Sequence, residues 1–191
     1  MFQILIDKIY EQLHAKFYNY INAFNPKQLI ICFTIILGIM ILRGILKHKK
    51  FQIRDFIYYI FLSLWLTLVM EITLLGRMNN AINTYRTIFS SFIELVSGNY
   101  KIVYDMLFNS ILFIPFGILV NMKFSVEKTI IISIIFSLSI EVSQFVTHRG
   151  LFEISDLIFN VVGGIVGAVL VELGRKIYNM WKAIKMQIRQ S

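Results

Sequence analysis

The sequence predicts an all-α membrane protein: a bundle of about five transmembrane helices, with an amphipathic interfacial helix at its amino end. Of the 191 residues, 57% are hydrophobic and only 16% are charged, whereas soluble domains carry about 25% charged residues. Mean hydropathy is +0.70. The chain also contains apolar runs near the roughly 20 residues that a helix needs to cross a bilayer.

Residues 1–27 are expected to form the interfacial helix. Apolar side chains recur there at helical spacing while charged residues fill the other face, a pattern typical of helices that lie in the membrane interface. Asn25 and Pro26 are expected to end it. The apolar positions are Ile6, Ile9, Tyr10, Leu13, Phe17, Ile21 and Phe24.

Residues 28–174 are interpreted as the transmembrane domain and residues 175–191 as a basic tail. Pro115 predicts a kink in the third span, because proline removes a backbone donor. Residues 76–105 carry another helical apolar repeat, so we expect a second interfacial helix there. The five predicted spans are 28–46, 56–75, 106–122, 129–147 and 156–174.

Lysine and arginine predict the orientation. They crowd the first and third connections and the tail, and they are sparse in the second and fourth connections. The positive-inside rule therefore predicts a cytoplasmic carboxyl terminus and an external amino end. The net charge of +8 is attributed to these topology signals, so the expected partners are membrane lipids and not nucleic acid.

Polar residues inside apolar runs are costly in a membrane and indicate where function should be sought. Glu141 lies about 9 Å below the end of the fourth span, at 1.5 Å per residue. With the predicted orientation, the polar candidates all fall in the outer half of the bilayer or at its surface. We predict an outward-facing polar pocket, lined by spans 2 to 5 and built from Glu71, Arg77, Asn109, Glu141, Gln144, Arg149, Asp156 and Asn160.

Two helical stripes support this pocket, because polar stripes face a bundle interior and glycines allow close helix packing. The stripe in the fourth span contains Ser133, Ser137, Glu141, Gln144 and His148. The stripe in the fifth span contains Asp156, Asn160, Gly163, Gly164, Gly167 and Gly174.

Each candidate has two readings. Arg77 and Arg149 would clasp a phosphate or carboxylate, or they are interfacial anchors. Glu141 is the candidate general base, or a structural carboxyl group. Glu71, Glu141 and Asp156 would hold those arginines in place or bind amide and hydroxyl groups of a ligand. Asp156 would alternatively cap the fifth span. The two asparagines would contact ligand or link helices. Because the acidic residues and His148 match no metal-ligand spacing, no metal or cofactor is expected.

Five segments of the sequence carry a family resemblance: 71–77 (EITLLGR), 109–117 (NSILFIPFG), 141–144 (EVSQ), 149–156 (RGLFEISD) and 160–164 (NVVGG). In their order along the chain, they resemble the VanZ-like family of bacterial membrane proteins. The loop at 152–156 departs from the family's usual Phe-Asp-Ile-Asp-Asp, and the Pro-Phe expected after Arg77 is absent. The resemblance implies a role in Gram-positive bacteria in lowering the effect of teicoplanin-type glycopeptides at the outer membrane face.

Three hypotheses follow, and the oligomeric state is open in all of them. The first is a binding module for an anionic amphipathic ligand, either the antibiotic or a lipid-linked cell-wall precursor. The second is a membrane-embedded hydrolase or transferase acting on such a precursor, with Glu141 as base. The third is a structural partner of another membrane protein, docking through the glycine face of the fifth span.

Overall fold

The computed structural model describes residues 10–11, 14, 18, 25–46, 52–77, 85–87, 93, 96–97 and 101–189. Five helices within this part of the chain are long and apolar enough to cross a membrane, which confirms the predicted all-α, five-span class. In chain order the elements are α1 (Pro26–Leu46), α2 (Ile53–Met70) with a π-helical turn (Glu71–Leu75), β1 (Tyr85–Arg86), α3 (Lys101–Asn121), α4 (Val126–Val146), β2 (Phe152–Glu153) and α5 (Ile154–Ile188).

Two helices extend more than one turn beyond a predicted end. Helix α3 begins at Lys101 and runs without a break through Pro115. Asn109 therefore lies two turns inside it, whereas the predicted span 106–122 would place this residue in the first turn. Helix α5 continues past residue 174 to Ile188. Charged residues near these ends shortened the predicted apolar runs, although backbone hydrogen bonding continues through them.

The two predicted interfacial helices have different outcomes. The first, over 2–24, falls almost wholly outside the described residues. The second is wrong at Tyr85–Arg86, which form a strand that pairs in parallel with Phe152–Glu153. Pairing with residues distant in sequence overrides the local helical period there. Most of the remaining 76–100 segment also lies outside the described residues.

Helices α3 and α5 pack closely through glycine. A Cβ atom on Gly163 would collide with the Ser110 carbonyl, one on Gly167 with the Ile114 carbonyl, and one on Gly117 with the Gly164 carbonyl. Gly163, Gly164 and Gly167 are therefore interior, as predicted. This face is covered by the chain's own helices, which removes it as the docking surface of the third hypothesis.

Gly174, predicted on the same stripe, is exposed and would have no atom within 4 Å of an added Cβ. The prediction is wrong at this position because α5 is leaving the bundle here. A helical stripe persists along a sequence even where the neighbouring helix ends.

The interior combines an aromatic cluster with a polar stripe. Phe116 of α3 stacks on Phe136 of α4 with ring centroids 4.7 Å apart, beside the fully buried Phe113. The polar stripe of α4 is buried as predicted, except for His148, which lies beyond the helix end and is exposed. Its buried members are Ser133, Ser137, Glu141 and Gln144, and the structure adds Thr129, which the predicted stripe did not include.

Replacing Gly163 by leucine is expected to destabilise the bundle, because the side chain would meet the Ser110 backbone with no room to relax. Overpacking of this kind costs about 1–3 kcal/mol or more. The measurement is thermal unfolding of purified protein in detergent, followed by circular dichroism. Gly174→Leu is the matched control and should leave the melting temperature nearly unchanged. Equal loss in both variants would contradict the packing described.

Candidate functional site

The polar candidates gather at one end of the bundle. Helices α2 and α4 run in parallel and end there, and α5 begins there. Asn160 Nδ2 of α5 donates a 2.9 Å hydrogen bond to Ser137 Oγ of α4, which aligns these antiparallel helices just below the site. This bond supports the interhelical reading of Asn160.

Glu141 anchors the loop that follows α4. Its side chain is 1% exposed, and Oε2 accepts a 2.9 Å hydrogen bond from the Glu153 backbone N–H. Glu153 lies in β2, where its own carboxylate is 3.7 Å from Arg86 Nη1 of β1. A buried carboxylate in the membrane therefore fixes the position of the small sheet above it. A general base would need contact with substrate, which this buried position does not offer.

Gln144 and Arg149 donate hydrogen bonds to backbone carbonyls at the end of α2. Gln144 Nε2 donates a 2.9 Å hydrogen bond to the Thr73 carbonyl. Arg149 Nη1 donates to the carbonyls of Leu74 at 3.0 Å and Leu75 at 3.2 Å. The last carbonyls of a helix lack partners within it, and a cation is favourable beside them. Part of the Arg149 guanidinium is thus committed to the backbone, and its position is fixed.

Arg77 lies under the same loop. Its Nη1 atom would be 3.0 Å from a Cβ atom on Gly150, and the Gln144 side chain would be 3.2 Å from it. Glycine at position 150 therefore makes room for both side chains. The arginine is half-buried, beside the acidic residues of the loop.

A charged cluster surrounds Glu153. Burial raises the pKa of the Glu153 carboxyl, the Asp156 charge raises it further, and the Arg86 guanidinium opposes the rise. Asp105 and Arg77 act on it more weakly. Sequence reasoning missed Arg86 and Asp105. The only available signal for Asp105 was its position one helical turn before Asn109.

Asp156 lies in the first turn of α5, but the cap residue is Glu153. The prediction that Asp156 itself caps the helix is wrong, because α5 starts two residues earlier than expected. Its charge remains favourable there, since the amino end of a helix attracts anions.

None of the described contacts of Glu71 and Asn109 involves Arg77 or Arg149. Glu71 is 3% exposed, and its Oε1 accepts a 3.3 Å hydrogen bond from the Asn25 backbone N–H at the start of α1. Asn25 Oδ1 in turn accepts from Lys27 N at 3.2 Å, so Asn25 caps the start of α1. Asn109 is buried within α3.

A groove lies beside the predicted site residues. Five of the eight predicted site residues are buried in the bundle, and Arg77, Arg149 and Asp156 are half-buried. A groove of about 620 Å³ runs between the π-helical turn and the end of α4, and Arg149 is its one lining residue from that set. The groove is lined by Leu74, Leu75, Ser143, Val146, Thr147, His148 and Arg149.

The backbone at His148 shapes this groove. His148 has a φ of 54°, in the left-handed region that few non-glycine residues adopt. The turn brings Arg149 back over the end of α2. Val146 is 66% exposed, so the groove is open on the outer surface of the bundle. Within the described residues, no three His, Cys, Asp or Glu side chains are grouped as metal ligands would be.

Comparison with known proteins identifies relatives of the segment that carries this site. The model of the VanZ/LLP1 family matches residues 56–175. Protein VanZ from Enterococcus faecium is 37% identical over 90 residues, which are 45% of this chain and 53% of that protein. The chain thus matches about half the length of this curated relative. No solved structure matches.

Replacing Gln144 by methionine should destabilise the site end, since the buried Thr73 carbonyl then loses its side-chain donor. Leaving such a group unsatisfied costs about 1–3 kcal/mol. The measurement is the melting temperature in detergent. The control is Ser143→Ala, whose hydroxyl bonds only within α4, to the Ser139 carbonyl. A Gln144→Met variant as stable as the control would refute this role.

Proposed function

Because the chain belongs to the VanZ/LLP1 family, we propose that it is a multi-pass membrane protein that lowers bacterial susceptibility to teicoplanin-type lipoglycopeptides. It does so by binding an anionic amphipathic ligand. The ligand is the antibiotic itself or a lipid-linked cell-wall precursor, which share an apolar chain joined to an anionic group.

The observation that carries the proposal is the groove between the π-helical turn and α4. Leu74, Leu75 and Val146 give it apolar surface, while His148 and Arg149 lie at its polar part. None of its lining residues is acidic. An anionic group is favoured beside the fixed Arg149 guanidinium, and an alkyl chain is favoured along the apolar surface.

The size of the groove supports partial capture of the ligand. Small-molecule sites have volumes of about 300–1,000 Å³, and the groove has about 620 Å³. This space suits an alkyl chain with its adjoining anion better than a whole glycopeptide. The groove opens on the bundle surface, so a chain would enter it sideways from the lipid.

The orientation is part of the proposal. The opposite end of the bundle carries the basic residues that the positive-inside rule assigns to the cytoplasm. Lys123 there bonds to Asp55 at 2.6 Å, which joins the start of α2 to the turn after α3. The groove would then face the outer leaflet, where lipoglycopeptides and exported precursors meet the membrane.

The groove is tested by filling it. In a teicoplanin-sensitive Gram-positive host, expression of the wild type should raise the minimal inhibitory concentration. Val146→Trp and Arg149→Ala should each lose most of that protection, the first by steric block and the second by removing the cation. Val142→Trp, one turn earlier on the same helix and outside the groove lining, should protect like the wild type. Membrane levels are matched by immunoblot.

Two outcomes would overturn the proposal at different points. A fully protective Val146→Trp variant would remove the groove as the binding site. A wild type without any protection would show that the chain has the family's fold without its role.

Glu141→Gln separates binding from catalysis. The glutamine oxygen can accept the Glu153 N–H bond, so the loop stays in place and we expect protection within about fourfold of the wild type. A general base would lose its function completely with this change. Protection is measured as above, and Glu141→Ala, which cannot accept the bond, should lower the melting temperature. Loss of all protection at unchanged stability would favour the enzyme hypothesis instead.

A further inference from the structure

Helix α5 is longer than the bundle that surrounds it. Its 35 residues extend about 52 Å at 1.5 Å per residue, whereas the hydrocarbon core is about 30 Å thick. Near residue 175 it is joined to the bundle by Arg175, whose Nη2 donates a 2.8 Å hydrogen bond to the Asn121 carbonyl. Every residue from 176 to 188 is exposed.

This extension has an apolar stripe and an excess of positive charge. The stripe residues follow at intervals of four, three and four, which places them on one helix face. Residues 175–189 include five lysines and arginines and no acidic residue. Lys185 Nζ lies 4.8 Å from the centre of the Trp181 ring, so the cation borders the apolar face. The stripe is Ile177, Trp181, Ile184 and Ile188, each more than half exposed.

Both features constrain where the extension can lie. An apolar stripe in water is unfavourable, and lysines in hydrocarbon are more so. The headgroup layer satisfies both faces at once. A second copy of the same helix would bring like charges together, so the positive charge favours an anionic surface as the partner of this helix. The extension is also tethered by α5 at the point where that helix leaves the bilayer.

We propose that residues 176–188 form an amphipathic helix that binds the anionic phospholipid headgroups of the leaflet at the carboxyl-terminal end of α5. Basic residues near such a surface are attracted to it electrostatically. Gly174 gives α5 a place to bend toward the surface. Unlike the three packed glycines of this helix, it has no neighbour that its small size would accommodate.

Trp181 reports on this interaction directly. The full chain is reconstituted in phosphatidylcholine vesicles with or without about 30% phosphatidylglycerol, and acrylamide quenching is measured. The chain has two tryptophans, and Trp65 is bonded to the Leu112 carbonyl inside the bundle. Subtracting the Trp181→Phe spectrum therefore isolates Trp181. We expect its emission to shift to the blue and its quenching to fall about threefold in anionic vesicles only, and the effect to weaken in 1 M salt.

Charge variants distinguish this helix from general electrostatics. Lys182→Gln/Lys185→Gln should abolish the lipid dependence of Trp181. Arg54→Gln/Lys128→Gln removes the same charge from exposed positions on other helices and should leave it intact. Equal loss in both double variants would overturn the proposal, and so would water-like emission in all vesicles. If the shielding of Trp181 from quencher instead rose with the protein-to-lipid ratio and did not depend on lipid charge, the stripe would pack against a second copy of this chain.

Discussion

The hydrogen bond from the Glu153 backbone N–H to the buried Glu141 carboxylate is the interaction on which the site end depends. A carboxyl group removed from water is costly unless it is hydrogen-bonded. The loop after α4 supplies that partner, and in doing so it fixes β2 against β1 and sets the first residue of α5. The position of Arg149 follows, because this residue opens the same loop. A single membrane-embedded acid thus determines how an extramembrane loop is held.

The end of α2 is organised by the same segment. Like a regular helix end, its π-helical turn has carbonyls without partners inside the helix. Gln144 and Arg149 donate hydrogen bonds to three of them. These bonds join α2 and α4 only near their ends. The groove is the space between these two helices and the left-handed turn at His148. The groove is therefore a consequence of the capping, and its cation is fixed before any ligand arrives.

Much of the fold could be predicted from the sequence, because apolar length and helical period are local properties. The burial of Ser133, Ser137 and Gln144 follows from one stripe. The pairing of Tyr85 with Phe152 could not be predicted, since it joins residues far apart in the chain. Periodicity shows that a side chain faces inward, but not whether the interior is open or packed. The eight residues predicted to line a pocket therefore divide into five buried and three half-buried side chains.

The segments on which the family resemblance rests are also those that contact one another here. Thr73 bonds with Gln144, Leu74 and Leu75 with Arg149, and Glu141 with Glu153. The side chains of Glu141, Gln144 and Arg149 are bonded to backbone groups, and the first two are buried. Their direct physical role is to position a loop and a helix end. Of the residues that line the groove, only Val146, Thr147 and His148 lie outside the recognisable segments. Under the proposed function, differences in ligand preference within this frame would therefore arise at these three positions.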